Sequence, residues 1–400
     1  MSDRRRNALI LLLVAGLVAG AAAMIALKKT HLGLDLKGGV ELVYQGKPTA
    51  QSKVTPESLE RAINIMRKRV DQLGVAQPEI QRSGAQEITV ALPEVSNVKR
   101  AEKAVGTTAQ LFFYDWEANV IGSDGKPSPT ESTATGGINA GAAADGLPEF
   151  EAVERAAKRE PILRATDTTW TPGCTAAQAN GCLYGSWYLL DTKHEKVLCS
   201  GKAITCPPEE TEAALYSDGY KPPAGTVAKA VRVNPGTVLV QARPEESSAG
   251  KVTVASPNSW YVLNDEPKLT GADITNPVQS YDEGAGGTGA PNVTFDFTSH
   301  GKPIFEHITK VIAERGQEAK LPGVSTEAAQ QHFAIVLDGQ LITVPSIDFE
   351  KYPEGIDAST GSEISGGFTL TSAQELADEL HSGALPVRLV LLSRSHVSHG

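Results

Sequence analysis

The feature that most constrains this chain is a run of twenty residues without a charge, Ala8 to Leu27. At about 1.5 Å of rise per residue, a helix of that length spans about 30 Å, the thickness of a bilayer's hydrocarbon core. Three arginines precede the run at 4–6, and two lysines follow it at 28–29. This slight excess of positive charge before the run favours a cytoplasmic N-terminus. The sequence therefore predicts a cytoplasmic N-terminus and a transmembrane helix within residues 1–29, with the remaining chain outside the cytoplasm.

Two alternatives to a membrane helix remain open for this run. A cleaved secretion signal is one, since Ala21, Ala22 and Ala23 provide the small residues of a cleavage site. Against it, the run is longer than the ~7–15 residues of an ordinary signal's apolar region. A buried core helix is the other, and the lack of a polar face counts against it. Because the run holds no ionisable side chain, a membrane helix here is an anchor, and any proton pathway lies elsewhere.

Length and charge bound the rest of the chain. Its 400 residues predict two or three structural units, and a hydrophobic content of 40% is enough for globular folding. With 37 Lys+Arg against 47 Asp+Glu the net charge is −10. No basic stripe with interleaved aromatic residues is present. Nucleic acid is therefore excluded as a partner.

The four cysteines form one cluster, because all of them fall within 33 residues: Cys174, Cys182, Cys199 and Cys206. An even, clustered set outside the cytoplasm predicts two disulfides, for which three pairings exist. We favour pairing between sequence neighbours, Cys174 with Cys182 and Cys199 with Cys206. Zinc is the alternative, but the cluster has no C-x-x-C pair and only His194 to supplement it.

Residues 34–116 predict the order strand, helix, strand, strand, helix, strand. Thr55 is a predicted helix N-cap with Pro56 at the first helical position, and Gly74 ends that helix. Two short strands flank Ser83-Gly84, and a strand in "AQLFFYDW" closes the unit. This βαββαβ order is typical of the ferredoxin-like motif.

A second copy of that order is predicted between residues 292 and 397. Its first helix is expected to end at Gly316, and Asp338-Gly339 suits the tight turn of a hairpin. Thr371 and Gln374 match a capping box for its second helix, and "LPVRLVLL" is the last strand. We expect the two units to pair into one pseudo-symmetric base, so the predicted fold class is α+β.

The composition shifts sharply between the two units. Residues 121–146 are mostly Gly, Ala, Ser and Thr, which predicts a flexible link. A helix in "EFEAVERAAKRE", strands in "SWYLLD" and "KVLC", and a hairpin in "TVAKAVRVNPGTVLVQA" follow. These elements predict an inserted α+β head domain.

Catalytic signatures are missing from the sequence. It has no phosphate-binding G-x-x-x-x-G-K-[ST], no G-x-S-x-G and no H-E-x-x-H, so neither an enzyme nor a cofactor is predicted. The histidines show no metal-ligand spacing and are expected in surface or cap positions: His31, His194, His300, His307, His332, His381, His396 and His399. The pair Gly366-Gly367 is interpreted as a bulge or tight turn that joins a strand to a helix.

Several ordered motifs resemble the SecD family of bacterial protein-export membrane proteins. They include "LGLDLKGGVELVYQ", "GTTAQLFFY", "WYVLNDEPKLTGADI", "VTFDFTSHGKPIFEHIT", "IVLDGQLITVPSI" and "ISGGFTLTSAQELADEL". The resemblance covers residues 8–389 apart from much of the head, where the 122–146 stretch and the cysteines depart from the pattern. The predicted divisions are 1–29 for the anchor, 30–118 for the first half of the base, 119–268 for the head with its link, and 269–400 for the second half.

The resemblance implies a subunit that works with SecF beside the SecYEG channel in the bacterial cytoplasmic membrane. It would assist the late, proton-motive-force-driven export of preproteins, with its head gripping the emerging unfolded chain while the anchor contacts membrane lipid. The family continues into further membrane helices, so the chain is expected to be an N-terminal portion. The family's signature positions are expected to be structural: Asp35, Gly38, Gly39, Asp338, Gly339, Gly366 and Gly367.

Two functions from other classes are the alternatives. An anchored extracytoplasmic enzyme is disfavoured because no nucleophile, metal or phosphate motif is found. A porter-type domain of a resistance-nodulation-division exporter of small molecules or lipids also contains βαββαβ units, but the ordered motifs favour the export family.

Overall fold

The structure, a computed structural model, describes residues 39–47, 54–75, 78–93, 98–122, 125–127, 146–162, 186–198, 220–242, 259–282, 289–365 and 368–397, with Val14, Gly16 and a few positions between 209 and 216. Val14 and Gly16 are helical, and the rest of the predicted membrane helix lies outside these residues. So do the four cysteines and most of the predicted link. None of the helices in the described part of the chain has the length and apolar character needed to cross a bilayer.

The described residues form a mixed α+β structure. Seven α-helices are present in this part of the chain: Pro56–Gln72 (α1), Val98–Gly106 (α2), Trp116–Asn119 (α3), Glu149–Ala157 (α4), Gly301–Ala319 (α5), Thr326–Ala329 (α6) and Leu370–Ser382 (α7). The strands up to residue 270 are Gly39–Lys47 (β1), Glu79–Arg82 (β2), Glu87–Pro93 (β3), Leu111–Asp115 (β4), Ser186–Asp191 (β5), Lys196–Leu198 (β6), Ala228–Val233 (β7), Thr237–Ala242 (β8), Trp260–Asn264 (β9) and Leu269–Thr270 (β10). The later strands are Ile274–Tyr281 (β11), Pro291–Phe297 (β12), Gln331–Leu337 (β13), Gln340–Thr343 (β14), Ser346–Ile347 (β15), Ser362–Ile364 (β16) and Arg388–Val397 (β17).

We call residues 39–115 the N-terminal segment, 116–268 the middle segment and 269–397 the C-terminal segment. The first sheet has the order β17-β1-β3-β2, so the last strand of the chain lies beside the first described one. β17 pairs antiparallel with β1 from Gly39↔Val397 to Lys47↔Arg388. Val40, Leu42 and Tyr44 alternate into the core beneath this sheet. The C-terminal segment therefore completes the sheet of the N-terminal segment.

Strand β4 leaves the unit that the sequence predicts it to close. It pairs with β13 on one side and with β10 on the other. The physical reason lies in its composition: Leu111 and Phe113 face one apolar core while Tyr114 faces another. A strand that is apolar on both faces needs cover on both sides. The two segments therefore exchange strands, because β4 joins the sheet of the C-terminal segment while β17 joins that of the N-terminal one.

The predicted hairpin between residues 226 and 242 is wrong. β7 pairs with β5 in a three-stranded sheet, whereas β8 pairs with β9 and, in parallel, with β14. Arg159 supports the pairing of β8 with β9, because its guanidinium donates to Thr237 Oγ1 at 3.1 Å and to Asn264 Oδ1 at 2.6 Å. The sheet order β10-β4-β13-β14-β8-β9 thus includes strands from both sides of the predicted domain boundary at 268, which stays a prediction.

Buried apolar clusters lie on both sides of the exchanged strands. One packs α1 and α2 against the first sheet and includes Leu385 and Val387 from the C-terminal segment. Another centres on phenylalanines of the C-terminal segment and takes in Leu111 and Phe113 from β4. Within it, the rings of Phe297 and Phe305 stack with centroids 4.3 Å apart. Each core therefore needs residues from both segments.

The helix ends test the local predictions. Thr55 caps α1 by accepting from Ser58 N at 3.2 Å, with Pro56 in the first turn, as predicted. The predicted capping box at Thr371 and Gln374 is wrong, because Thr369 is the N-cap of α7 and Ser372 bonds back to it.

Helix α5 continues through Gly316 and ends at Ala319, so the predicted stop at Gly316 is wrong. The glycine serves close packing instead. A Cβ there would lie 2.9 Å from Phe349 Cδ1 and 3.2 Å from the Ala329 carbonyl oxygen.

Candidate functional site

The turn between β13 and β14 holds the connection between α2 and β4. Asp338 and Gly339 have φ of 50° and 78°, which fits the two-residue hairpin that the sequence predicts. The Asp338 carboxylate accepts hydrogen bonds from Ala109 N at 2.8 Å and Gln110 N at 2.9 Å, and Asp338 N donates to Gln110 O at 3.1 Å. One residue of the C-terminal segment thus fixes two consecutive amides of the N-terminal segment.

Those hydrogen bonds hold an unusual backbone conformation. Ala109 is buried at 1% exposure and has a φ of 55°, which an L-residue with a Cβ adopts only at an energetic cost. The cost is offset by the bonds from Asp338. This bend aims β4 away from the first sheet and toward β13, so it is where the strand exchange begins.

Arg69 of α1 is the cation beside this connection, and only 2% of it is exposed. Its guanidinium donates to the carbonyl oxygens of Ala104 at 3.1 Å, of Gly383 at 2.8 Å and of Thr107, and to Ser382 Oγ at 3.3 Å. These acceptors are the C-terminal ends of α2 and α7. One side chain therefore ties three helices, two from the N-terminal segment and one from the C-terminal segment.

Glu379 of α7 adds a second buried carboxylate, with 7% exposed. Burial is the main cause that raises its pKa to about 7; nearby Asp338 and Glu375 raise it further, against Lys103 and Arg69. Burial likewise raises the pKa of Asp338, against the opposing hydrogen bonds from Gln110 and Ala109. We call Arg69, Asp338, Glu379 and the bonded ends of α2 and α7 the junction.

A second buried cluster lies where the chain leaves β4 for the middle segment. Arg315 of α5 pairs with both oxygens of Asp115, at 3.0 and 2.5 Å. Glu117 accepts from His332 N at 2.9 Å, and its other oxygen lies 2.6 Å from His332 Nδ1. We call Asp115, Glu117, Arg315 and His332 the exit cluster. It joins β4 and α3 to helix α5 and to strand β13, which is the neighbour of β4 in their shared sheet.

The exit cluster corrects one prediction about the histidines. His332 is 6% exposed and is the second residue of β13, so it is not a surface or cap residue. Its partner Glu117 lies 215 positions earlier in the sequence, so no local sequence pattern could predict this pair. Among the described residues, no group of three or more His, Cys, Asp or Glu could hold a metal ion. Two atoms beside the cluster, Trp116 Nε1 and Asn119 Oδ1, are buried without a hydrogen-bond partner.

The remaining predicted site residues fall as follows. Gly39 begins β1 with a φ of 151°, a value that favours glycine, and it pairs with Pro93 and Val397. The structure brings Asp338 and Gly339 into the junction but leaves Gly39 at the other end of the first sheet. The positions outside the described residues are Asp35, Gly38, Gly366, Gly367, Cys174, Cys182, Cys199 and Cys206.

Two protein-family models match the chain, one mainly in the N-terminal segment and one mainly in the C-terminal segment. A family model described as "Protein translocase subunit SecDF, P1 domain, N-terminal" matches residues 59–118, and one described as "SecDF, P1 head subdomain" matches residues 246–387. The word head in the second description thus falls on residues that include most of the C-terminal segment.

Curated relatives carry matching names. The chain is 37% identical over 139 residues to "Protein translocase subunit SecD" of Acidaminococcus fermentans, covering 34% of this chain and 33% of the relative. It is 28% identical over 382 residues to the protein of that name in Streptomyces coelicolor, covering 89% of this chain and 60% of the relative. The chain therefore spans less than two thirds of the length of these relatives.

Solved structures also match. "Crystal structure of SecDF in Super-membrane-facing form" aligns with a TM-score of 0.44 at 21% identity, covering 98% of this chain and 35% of that one. "Structure and function of a membrane component SecDF that enhances protein export" aligns with a TM-score of 0.40 at 19% identity, covering 88% and 98%. With both family models in chain order and curated relatives of the same name, the chain belongs to the SecD family of protein translocase subunits.

Proposed function

We propose that this chain is the N-terminal, largely extracytoplasmic portion of a SecD subunit that assists the late stage of protein export. The observation that carries the proposal is the placement of the two family models, which fall in order on the two segments that exchange strands. The relatives are named as translocase subunits, so transport rather than covalent catalysis is the expected activity. The proposed partners are SecF, the SecYEG channel, an unfolded preprotein and membrane lipid at residues 1–29.

The two exchanged units form the proposed base. Its first sheet has the strand order of a ferredoxin-like fold if β17 is counted as the fourth strand. An exchange of this kind joins the two halves more firmly than side-by-side packing, because separating them requires breaking the β1–β17 and β4–β13 ladders. We propose that this interlock lets the base bear load.

The load would enter through the middle segment, which we propose contacts the emerging chain, as the family resemblance implies. Its two connections leave the base side by side, since Leu269 of β10 pairs with Phe113 of β4 and Lys268 N donates to Phe113 O at 2.7 Å. The exit cluster fixes the first of these connections. A pull on the middle segment is therefore resisted by hydrogen bonds and ion pairs at its root. The proton motive force would supply the work through membrane helices outside this chain.

The middle segment offers apolar side chains for contact with an unfolded polypeptide. Val227 is 55% exposed and Tyr216 is 40% exposed. Non-sequence-specific binding of an extended chain needs such apolar groups together with backbone pairing, rather than a deep pocket. Two disulfides in the 174–206 cluster would stabilise this segment, and they remain a proposal.

Site-specific photocrosslinking to a stalled secretory chain tests the proposal. The full chain would carry the photoreactive residue at Val227, at Val278 of the C-terminal segment, which is 57% exposed, or at the exposed Lys68 of α1 as the matched control. We expect adducts from Val227 well above those from Lys68. If adducts formed from Val278 alone, the preprotein-binding surface would lie within residues 246–387, which match the family model of the P1 head subdomain, and not at Val227. Equal labelling of all three positions would contradict specific engagement of preprotein.

The alternative, a porter-type domain that exports small molecules or lipids, predicts a different result. In that case none of the positions would crosslink to a stalled preprotein, while loss of the chain would alter efflux of small molecules. The two family models favour the export function.

A further inference from the structure

Glu379 has surroundings that a buried carboxylate rarely has. No hydrogen bond to its carboxylate occurs among the described residues, although only 7% of the residue is exposed. It borders a cavity of about 20 Å³, whose lining is Arg69, Gln72, Leu73, Lys103, Ala104, Glu375, Asp378 and Glu379. A volume above about 10–15 Å³ is enough for one water molecule. The carboxylate is thus largely buried, has no bonded donor among the described residues, and lies beside a space that can hold one water molecule.

The charges at the junction do not balance when every group is ionised. Arg69 contributes one positive charge, and Asp338 and Glu379 contribute two negative ones. The hydrogen bonds of the Arg69 guanidinium go to carbonyl oxygens and a hydroxyl, not to either carboxylate. One buried negative charge is therefore in excess, and protonation of one carboxylate removes it.

The charged groups around Glu379 do not compensate this excess. Arg69 faces Glu379 from α1, Lys103 faces it from α2, and Asp338 faces it from the β13–β14 turn. Its own helix adds Glu375 and Asp378 to the cavity wall. Lys103 is 54% exposed and bonds Glu375 Oε2 at 2.7 Å, so its charge is already engaged at the surface. The local surplus therefore stays negative.

We propose that Glu379 is a protonation-dependent latch between the two segments: its neutral form closes the junction, and its anionic form loosens it. The part that loosens is the C-terminal end of α7, where Ser382 Oγ and the Gly383 carbonyl oxygen accept hydrogen bonds from the Arg69 guanidinium. Two residues further on, Leu385 N donates to Thr108 O at 2.7 Å. These bonds lie just before β17, so the charge of Glu379 would control how firmly the exchanged strand is held at its entry to the first sheet. The proposal does not depend on which molecule the middle segment contacts.

The titration range supports a working switch. Burial raises the pKa of Glu379 to about 7, so the group changes charge near neutral pH. The folded-state pKa lies above that of the unfolded chain, so the neutral group stabilises the fold. That contribution is complete below the unfolded value of 4.5, falls as pH rises toward about 7, and is lost above it. Acidification at the extracytoplasmic face would close the latch.

The test uses the full 400-residue chain in detergent micelles. The first measurement is a carboxyl-carbon NMR titration of the Glu-labelled protein, with the Glu379 signal assigned by its absence from Glu379→Gln. We expect a midpoint between 6 and 7.5, that is near the value of about 7. A midpoint below about 5, close to the ordinary range of glutamate, would overturn the proposal.

The second measurement follows the junction itself, through denaturant unfolding and amide hydrogen exchange at Gly383 and Leu385 between pH 5 and pH 8. We expect the unfolding equilibrium constant of the unmodified chain to rise on the order of 100-fold more across this range than that of Glu379→Gln, as a shift of about two pH units implies. Glu60→Gln, which removes an exposed carboxylate of α1 outside the junction, is the matched control and should keep the full pH dependence. An unchanged pH dependence in Glu379→Gln would contradict the latch. If that variant fails to fold, the NMR midpoint of the unmodified protein, assigned through sequential backbone signals, decides alone.

Discussion

The junction and the exit cluster are two buried sets of charges that hold the same exchanged strands in different ways. In the exit cluster each carboxylate has a directly bonded partner: Asp115 pairs with Arg315 at 2.5 Å, and Glu117 accepts from His332 N at 2.9 Å. In the junction the Arg69 guanidinium donates its hydrogen bonds to the ends of two helices, and no donor among the described residues bonds to the Glu379 carboxylate. The exit cluster is therefore matched, in the sense that each of its carboxylates has a bonded donor, whereas in the junction Glu379 is unmatched.

The difference suggests different roles. A matched cluster favours one geometry, because moving either partner away leaves a buried charge without its hydrogen-bond partner, which is costly. An unmatched cluster sits closer to balance between two arrangements, so one proton shifts it. The exit cluster stands where the middle segment would pull, and rigidity is useful there. The junction stands where the C-terminal strand enters the first sheet, and adjustable strength is useful there.

The largest expected effect comes from removing the cation of the junction. Arg69→Met leaves three helix-end carbonyls without their donor and leaves Asp338 and Glu379 without a nearby buried cation. We expect a loss of about 4 kcal/mol in the free energy of unfolding, since uncompensated buried charges cost about 3–5 kcal/mol. Denaturant unfolding at pH 8 measures it, above the pKa of about 7 of Glu379. Arg155→Met removes an exposed pair with Glu151 and, as the control, should cost less than about 0.5 kcal/mol.

A smaller loss is expected at the exit cluster. Arg315→Met leaves Asp115 and Glu117 as buried carboxylates, but the Arg315 side chain is 28% exposed, so water replaces part of the lost interaction. We expect about 2–3 kcal/mol, with the pH dependence assigned to Glu379 unchanged. A larger loss than in Arg69→Met would reverse the ranking of the two clusters.

The smallest loss of stability is expected for a variant that tests whether the junction and the exit cluster are independent. Asp338→Asn keeps a residue that tolerates positive φ and one oxygen acceptor for the Ala109 and Gln110 amides, so we expect a loss of only about 1–2 kcal/mol. Because Asp338 helps to raise the pKa of Glu379, the titration midpoint of Glu379 should fall in this variant. The same NMR titration in Arg315→Met should show no shift. Equal shifts in both variants would mean that the two clusters are not separate.

The sequence predicts much of the local structure. Apolar periodicity and turn residues gave the order of helices and strands, the cap at Thr55 and the hairpin at Asp338-Gly339, because these depend on neighbouring residues only. The exchange of β4 and β17 could not be predicted, since both are short apolar runs and a run does not specify its partner. The same limit hid the junction, where Arg69 meets Gly383 from 314 positions away.

The capping error at α7 has another cause. Thr369, Thr371 and Ser372 all carry hydroxyls suited to a cap, and only the tertiary position of the helix selects Thr369. The continuation of α5 through Gly316 reflects packing as well, because the space that Phe349 fills outweighs the weak helix propensity of glycine.

The exchange of β4 and β17 between the two segments can be tested by interstrand nuclear Overhauser effects in the isotope-labelled full chain. The account predicts contacts between Glu41 and Ser395 and between Leu42 and Arg394 across β1–β17, and between Phe113 and Ile335 across β4–β13. Contacts from β1 to residues 111–115, with none to β17, would show that the N-terminal unit closes on its own strand and would contradict the exchange.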